Sequence, residues 1–460
     1  MFDLAEYRDF IAAKGGMTQS AGFDLSGTDY GLFTHQQRAL EFNAEKGKAA
    51  AFLDTGLGKS RVEAAMANEA RIASNKPALI LTPLAVARQM QRECEACGVE
   101  ATVIRDDDEV TPGVNIANYE RLSKLDVSRF GGIVLDESSI LKAFTGTTKR
   151  ALVAAFQDTP YRLAATATPA PNDHMELGTH SEFLGNLGRS EMLCRWFIND
   201  TSTASQDWRL KGHAEREFWQ WIASWARAAS LPSDLGGCDD GFILPPLRYH
   251  THIVNSDLTE GVQDGLLFRI PDQSATSIHK EKRLTLAERV EKAAYIANNE
   301  TGAVIVWCET NDESAALAKA IPDAIEVRGD MKPEEKERAL DAFTFGCARV
   351  IVTKPKLAGF GLNWQHAKTV VFASISHSYE QHYQAVRRSW RFGQDSEVNA
   401  HIVIAETEIP IWQNVQRKAA DHDKMKKAMT RAMVEAQSPS SKRAYNRAQE
   451  FTLPSFMKET

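Results

Sequence analysis

The sequence predicts an α/β protein of two domains, each a parallel β-sheet flanked by helices, and three observations carry this expectation. Short apolar runs followed by helical patterns recur along most of the chain. The recurrence breaks once, from about Met192 to Pro246, and then resumes as a second series of similar size. The runs are apolar throughout rather than alternating with polar residues. Strands of that kind belong to parallel sheets covered by helices on both faces.

In the first series, "KAAAFLD" precedes a glycine loop and the helical "KSRVEAAMANEARIA", and "ALILTP" precedes "LAVARQMQRECEA". "GGIVLDE" and "YRLAATATP" follow, with helical patterns between and after them. Within the break lie five of the nine tryptophans: Trp196, Trp208, Trp219, Trp221 and Trp225. Phe218, Trp221, Ile222 and Trp225 recur at the spacing of one helical face. That periodicity favours a small helical insertion with its own core over aromatic stacking on bases. "SDLGGCDDGFILPPLR" reads as a loop and boundary. In the second series, "AVIVWCET", "AIEVRG", "ARVIVTKP", "TVVFAS" and "NAHIVIAE" are expected strands, with "PEEKERALDAFTF" and "SYEQHYQAVRRSW" among the helices. The expected division is 1–190 for the first domain, 191–246 for the insertion and linker, 247–410 for the second domain and 411–460 for a C-terminal helix and tail.

Composition narrows the function classes. A chain of 460 residues can bury two or three cores, and its charged and apolar fractions are those of a soluble globular protein. No stretch approaches a membrane span, and the acidic start "MFDLAEYRDF" is unlike a signal peptide. A cytoplasmic protein is expected. Six cysteines in this length make no disulfide framework, and "CEAC" lacks a second pair at zinc-ribbon spacing. The net charge of −7 argues against a generally basic surface but not against a local groove for nucleic acid. From Gln413 to Glu450, nine basic residues face four acidic ones. That stretch reads either as a solvated helix with a frayed end or as a DNA contact.

The chemistry gathers in three places. In "LDTGLGKS", Thr55, Gly56, Leu57, Gly58, Lys59 and Ser60 stand where a strand turns into a helix, the context a phosphate loop requires. Lys59 is placed to reach the β- and γ-phosphates, and the Ser60 hydroxyl to bind Mg²⁺. The strict pattern wants glycine where Leu53 stands. In "GGIVLDESS" a strand delivers Asp136 to hold Mg²⁺ and Glu137 to orient and deprotonate an attacking water. Upstream, "FTHQQRALEF" supplies Gln36, whose amide offers a donor and an acceptor to an adenine edge. Late in the chain, "QAVRRSWRFGQ" crowds Arg387, Arg388 and Arg391 around one tryptophan. Like charges this close call for an anion. Arg388 and Arg391, three apart, would share a helix face. Opposite the phosphate loop, their anion would be ATP, bound between the two domains.

The ordered series of motifs resembles a superfamily-two helicase or translocase with two RecA-like domains, and most closely its Swi/Snf-type branch. "FTHQQRAL" resembles the Q-motif region, "LDTGLGKS" motif I, "LTPLAV" motif Ia, "NYERL" motif Ib, "LDESS" motif II and "ATATPAPND" motif III. "VIVWCET" resembles motif IV, "LAGFGLNWQHAKTVVF" motif V and "QAVRRSWRFGQ" motif VI, whose closing Arg-x-Gly-Gln is Swi/Snf-like. The resemblance implies the roles already assigned to Gln36, Lys59, Ser60, Asp136, Glu137, Arg388 and Arg391. It adds Gln384 and Gly361 at the nucleotide. It implies a track of Thr82, Pro83, Asn118, Thr166, Thr168 and Asn363 that grips a nucleic-acid backbone or couples it to ATP. The Trp-rich stretch and "ILPPLR" resemble the helical protrusion and interdomain linker of this branch.

Ser139 stands where relatives carry His or Asp, Trp390 where they carry His, and "VTKPKLAGFG" is irregular beside their compact motif V. These departures bear on coupling rather than on the reacting groups. The chain also resembles minimal helicase-like proteins of bacteriophages and prophages. The implied function is a monomeric, ATP- and Mg²⁺-dependent motor on duplex or branched DNA, with a protein partner that recruits it. Two alternatives are a strand-separating helicase on DNA or RNA and a non-catalytic DNA-binding scaffold that kept the fold.

Overall fold

The computed structural model describes residues 21–83, 86–142, 146–200, 207–255, 282–358 and 362–437. Two parallel sheets flanked by helices form the architecture, as two RecA-like domains require. The first sheet uses β1 (Lys48–Leu53), β2 (Ala78–Thr82), β3 (Ala101–Val103), β4 (Val114–Asn118), β5 (Gly132–Asp136) and β6 (Tyr161–Ala165). A two-stranded antiparallel hairpin, β7 (Phe197–Asp200) and β8 (Asp207–Leu210), follows, and then β9 (Ala226–Ala229). The first sheet runs β3-β4-β2-β5-β6-β1-β9. The second sheet, from β10 (Leu247–Val254), β11 (Ala303–Trp307), β12 (Ala324–Val327), β13 (Val350–Thr353), β14 (Ala367–Phe372) and β15 (Val398–Ala405), runs β10-β15-β14-β11-β13-β12. Every expected strand is present. The central ones are buried along their whole length, which is why they read as unbroken apolar runs.

The Trp-rich stretch corrects two expectations. It has strands, and it does not carry a core of its own. Helix Glu215–Trp225 turns Phe218, Ile222 and Trp225, all fully buried, into the cluster that also holds Phe52, Leu79, Leu81 and Leu135. Trp225 meets Phe52 edge-on, with ring centroids 6.1 Å apart. The helix then hands the chain to β9, which pairs in parallel with β1. "ARAA" has no β-branched residue and escapes a reading by propensity; pairing with β1 makes it a strand.

A further correction concerns the basic C-terminal helix. Ile409–Gln437 is 29 residues long, about 44 Å at the usual rise. Its first turns put Ile411, Trp412 and Val415 into the second core. Its last turns put Met425, Met429, Ala432 and Met433 into the first. It is neither simply solvated nor free to offer all its cations outward. Residues 438–460, the rest of the expected tail, lie outside the described residues. Among the described residues no helix is long and apolar enough to cross a membrane.

Trp225→Ala should destabilise the first domain by about 3–5 kcal/mol, as large aromatic truncations in packed cores do. Urea unfolding followed by tryptophan fluorescence measures it. A loss confined to a separate minor transition would mean that the Trp-rich stretch folds as its own unit.

Candidate functional site

Strand β1 ends at Leu53, and the loop Asp54–Gly58 leads into helix Lys59–Ser74. The loop turns because the Leu57 N–H donates to the Asp54 carbonyl at 3.1 Å. Gly56 and Gly58 take φ of 99° and 75°, values that side-chain-bearing residues rarely adopt. A Cβ at Gly56 would lie 2.8 Å from that of Phe392, and one at Gly58 would strike the Gln36 amide. Gln36 is buried and holds the loop from behind. Its Nε2 donates to the Leu57 carbonyl at 3.0 Å, and its Oε1 accepts from the Phe33 N–H at 3.0 Å. Both polar ends that were expected to read an adenine edge are thus used within the chain.

At the end of β5, Asp136 is buried and Glu137 adopts φ of 53°, a strained left-handed conformation for a non-glycine residue. Lys59 Nζ lies 3.1 Å from Glu137 Oε1 and 3.7 Å from Asp136 Oδ1. Burial pushes the Asp136 carboxyl up to about 6, against the opposing pull of Lys59. Burial and then the Asp136 carboxylate hold Glu63, on the same helix as Lys59, well above the ordinary carboxyl range. The Thr166 hydroxyl donates to Glu137 Oε2 at 3.2 Å.

The arginine turn arrives from the other sheet. Ser378 caps helix Tyr379–Val386 by accepting the Gln381 N–H. The helix ends before Arg388 and Arg391, so they do not share a helical face. They converge nonetheless: Arg388 Nη1 donates to the Leu362 carbonyl at 2.8 Å and Arg391 Nη1 to the same oxygen at 3.2 Å. Arg388 also donates to Gln384 Oε1 at 3.1 Å, and Gln384 Nε2 stands 3.5 Å from both Glu137 oxygens. Burial, reinforced by neighbouring Arg391, brings Arg388 down to about 9. Arg387 has a carboxylate: its Nη2 lies 3.9 Å from Asp54 Oδ2.

The expected track residues divide. Thr82 and Asn118 are register partners at the ends of β2 and β4, with the Thr82 hydroxyl 3.4 Å from Asn118 Oδ1. Thr82 is fully buried, Pro83 and Asn118 are half-buried, and Asn363 is exposed. Thr166 and Thr168 are fully buried, with Thr166 Oγ1 accepting the Thr168 N–H at 3.1 Å. Of the two expected roles, gripping a backbone or coupling it to ATP, a buried position suits the second. Thr166 lies against Glu137, and Thr168 reaches it only through Thr166. Thr55 in the loop and Ser60 in the first turn of the following helix are half-buried. Gly361 lies outside the described residues.

Sequence reasoning missed Asp54, Tyr383 and Lys426. The Tyr383 hydroxyl donates to Asp54 Oδ1 at 2.5 Å, and Lys426 Nζ pairs with the same oxygen. Asp54 sits inside the quoted loop motif, but its partners stand 329 and 372 residues away. Separation on that scale leaves no pattern in a local window.

Residues 285–393 match the family described as the helicase conserved C-terminal domain. The match covers β11 to β14 and the arginine turn, and it gives this part of the chain the likeness of a helicase-type C-terminal domain. No curated protein matches the chain.

The Asp54 contacts carry a pH signature. Burial alone would raise its carboxyl, but Lys426 and Arg387 overrule burial and hold it near about 2, below the ordinary 3.8. A depressed carboxyl contributes stability that is complete above its unfolded value and is lost as pH falls through the folded one. The stability gap between wild type and Asp54→Asn should therefore stay constant from about pH 8 to about pH 5 and shrink below about pH 4. Denaturant titrations across that range test it; a gap that changes near neutrality would assign the effect to another group.

Proposed function

We propose that the chain is an ATP-dependent DNA translocase that binds duplex or branched DNA and spends ATP hydrolysis on remodelling it or displacing bound proteins. The observation that carries this reading is the meeting of two half-sites. Lys59, Asp136 and Glu137 from one sheet face Gln384, Arg388 and Arg391 from the other, with Gln384 3.5 Å from Glu137. Hydrolysis of a phosphoanhydride needs positive charge where negative charge shifts in the transition state.

The residues fit Mg²⁺ by donor chemistry. Ser60 and Asp136 are hard oxygen ligands at the loop and at a strand end, and Mg²⁺ usually takes few protein ligands beside phosphate oxygens and water. When bound, Mg²⁺ would neutralise charge on the β- and γ-phosphates. Glu137, bridged by Lys59 and Thr166, orients a water and accepts its proton. Lys59 is shared between carboxylates and moves toward the γ-phosphate when one arrives. Arg388 and Arg391 supply the opposing charge from the second domain. Thr166 links Glu137 to the segment after β6, a route by which the nucleotide state can reach the DNA side.

Glu137→Gln should abolish turnover while sparing ATP binding, and Arg388→Ala or Arg391→Ala should cut kcat by about 10³-fold or more with little loss of folding. Hydrolysis is to be measured without nucleic acid and with single-stranded, duplex and forked DNA and RNA, at rising salt. Stimulation by duplex or forked DNA that falls steeply with salt is expected. Stimulation by single strands alone would move the reading to a strand-separating helicase. No hydrolysis under any condition would leave a binding scaffold.

A further inference from the structure

Asp54 is an acid at the mouth of a loop built for anions, where a second negative charge works against the ligand. Its backbone is occupied with shape. The N–H donates to the Ala229 carbonyl of β9 at 3.0 Å, and the carbonyl accepts the Leu57 N–H. Its side chain leaves the loop and meets three groups. Tyr383 comes from helix Tyr379–Val386 of the second domain, Arg387 from the turn that follows it, and Lys426 from the long C-terminal helix. Tyr383 lies between the two cations, its ring centroid 5.2 Å from the Arg387 guanidinium and 5.6 Å from Lys426 Nζ. Asp54 and Lys426 are each 7% exposed, so water does little to replace either partner.

Two cations against one carboxylate leave one positive charge over on the wall of the cleft. Asp54 therefore does not cancel the field that the phosphates need. It fixes where that field stands. We infer that Asp54, Arg387 and Lys426 form a tether that seats the arginine turn over the phosphate loop, with Lys426 as a positioning residue for ATP turnover. The inference rests on the hydrolysis reading for its functional consequence. Lys426 touches no reacting atom and acts through Asp54 and the Tyr383 ring. All its partners are protein groups, so the tether contributes to closure independently of the phosphates. Weakening it makes closure depend more on nucleotide, which raises KM for ATP more than it lowers kcat.

The test uses the full chain with Lys426→Met, which keeps the aliphatic stem and leaves Asp54 with Tyr383 and Arg387, and with Lys426→Arg as the conservative control. Arg88 and Glu337 meet across the two domains at 3.0 Å on the surface. Paired Arg88→Cys and Glu337→Cys substitutions, joined by a short bis-maleimide and identified by mass spectrometry, read closure without relying on hydrolysis. Without nucleotide, Lys426→Met should cross-link about five- to ten-fold less than its parent, and a non-hydrolysable ATP analogue should restore the yield. KM for ATP should rise about ten-fold with kcat within about three-fold, and Lys426→Arg should stay near wild type. Equal nucleotide-free yields with unchanged KM overturn the tether. A loss that the analogue does not restore, with a lowered Tm, makes Lys426 a folding residue and also overturns it. Lys426-dependent cross-linking in a chain that neither binds nor hydrolyses ATP would uphold the tether and sink the motor reading instead.

Discussion

Three arginines within five residues, all largely withdrawn from water, set the terms for the rest of the cleft. Each has to be answered, and each is answered differently. Arg387 faces a carboxylate, Asp54. Arg388 is held by the Gln384 amide and by backbone carbonyls, which carry only partial charge. Arg391 shares the Leu362 carbonyl with it. Dipoles orient a guanidinium but do not neutralise it, and the lowered proton affinity of Arg388 reflects that deficit. The unspent charge faces the carboxylates of β5 and the lysine of the phosphate loop. Precise placement of that charge then depends on packing around the turn, which explains how much unrelated structure converges there.

Trp390 is part of that packing. Its indole N–H donates to the Pro245 carbonyl at 2.6 Å, and the Arg387 guanidinium lies 4.4 Å from its ring centroid. The indole thus ties the arginine turn to the segment that leads into β10 and gives Arg387 a π-face to lie on. Phe392 extends the same contact, stacking on Phe242 at 4.4 Å and closing over Gly56. Ser139 is buried beside Ser138, whose hydroxyl meets His180 Nε2 at 3.1 Å. His180 is held neutral by burial, down to about 4, and packs edge-on against Phe52 of β1. An imidazole thus reaches the turn after β5 from a later helix.

Legibility in the sequence followed the range of the interaction. Parallel strands announce themselves because burial on both faces demands an unbroken apolar run, and the strand-to-loop-to-helix transition at Gly56 and Gly58 is local. Asp136 and Glu137 could be placed because a strand end is a local event. β9 could not, because four residues of "ARAA" become a strand only through β1. Nor could the Trp-rich helix be assigned to a core: periodicity gives the buried face of a helix but not the surface it is buried against. The fate of Lys426 was hidden for a related reason. A lysine in a basic helix reads as solvated until the fold brings an aspartate to it from 372 residues away.

The long helix Ile409–Gln437 has a mechanical consequence. A two-domain chain with a single linker moves like beads on a string, and its halves can twist, slide or separate. Here the chain crosses between the domains at the linker around Pro245 and returns along a helix rooted in both cores. Two attachments remove most of those freedoms and leave a hinge. A hinge confines any relative movement of the two cores to one arc.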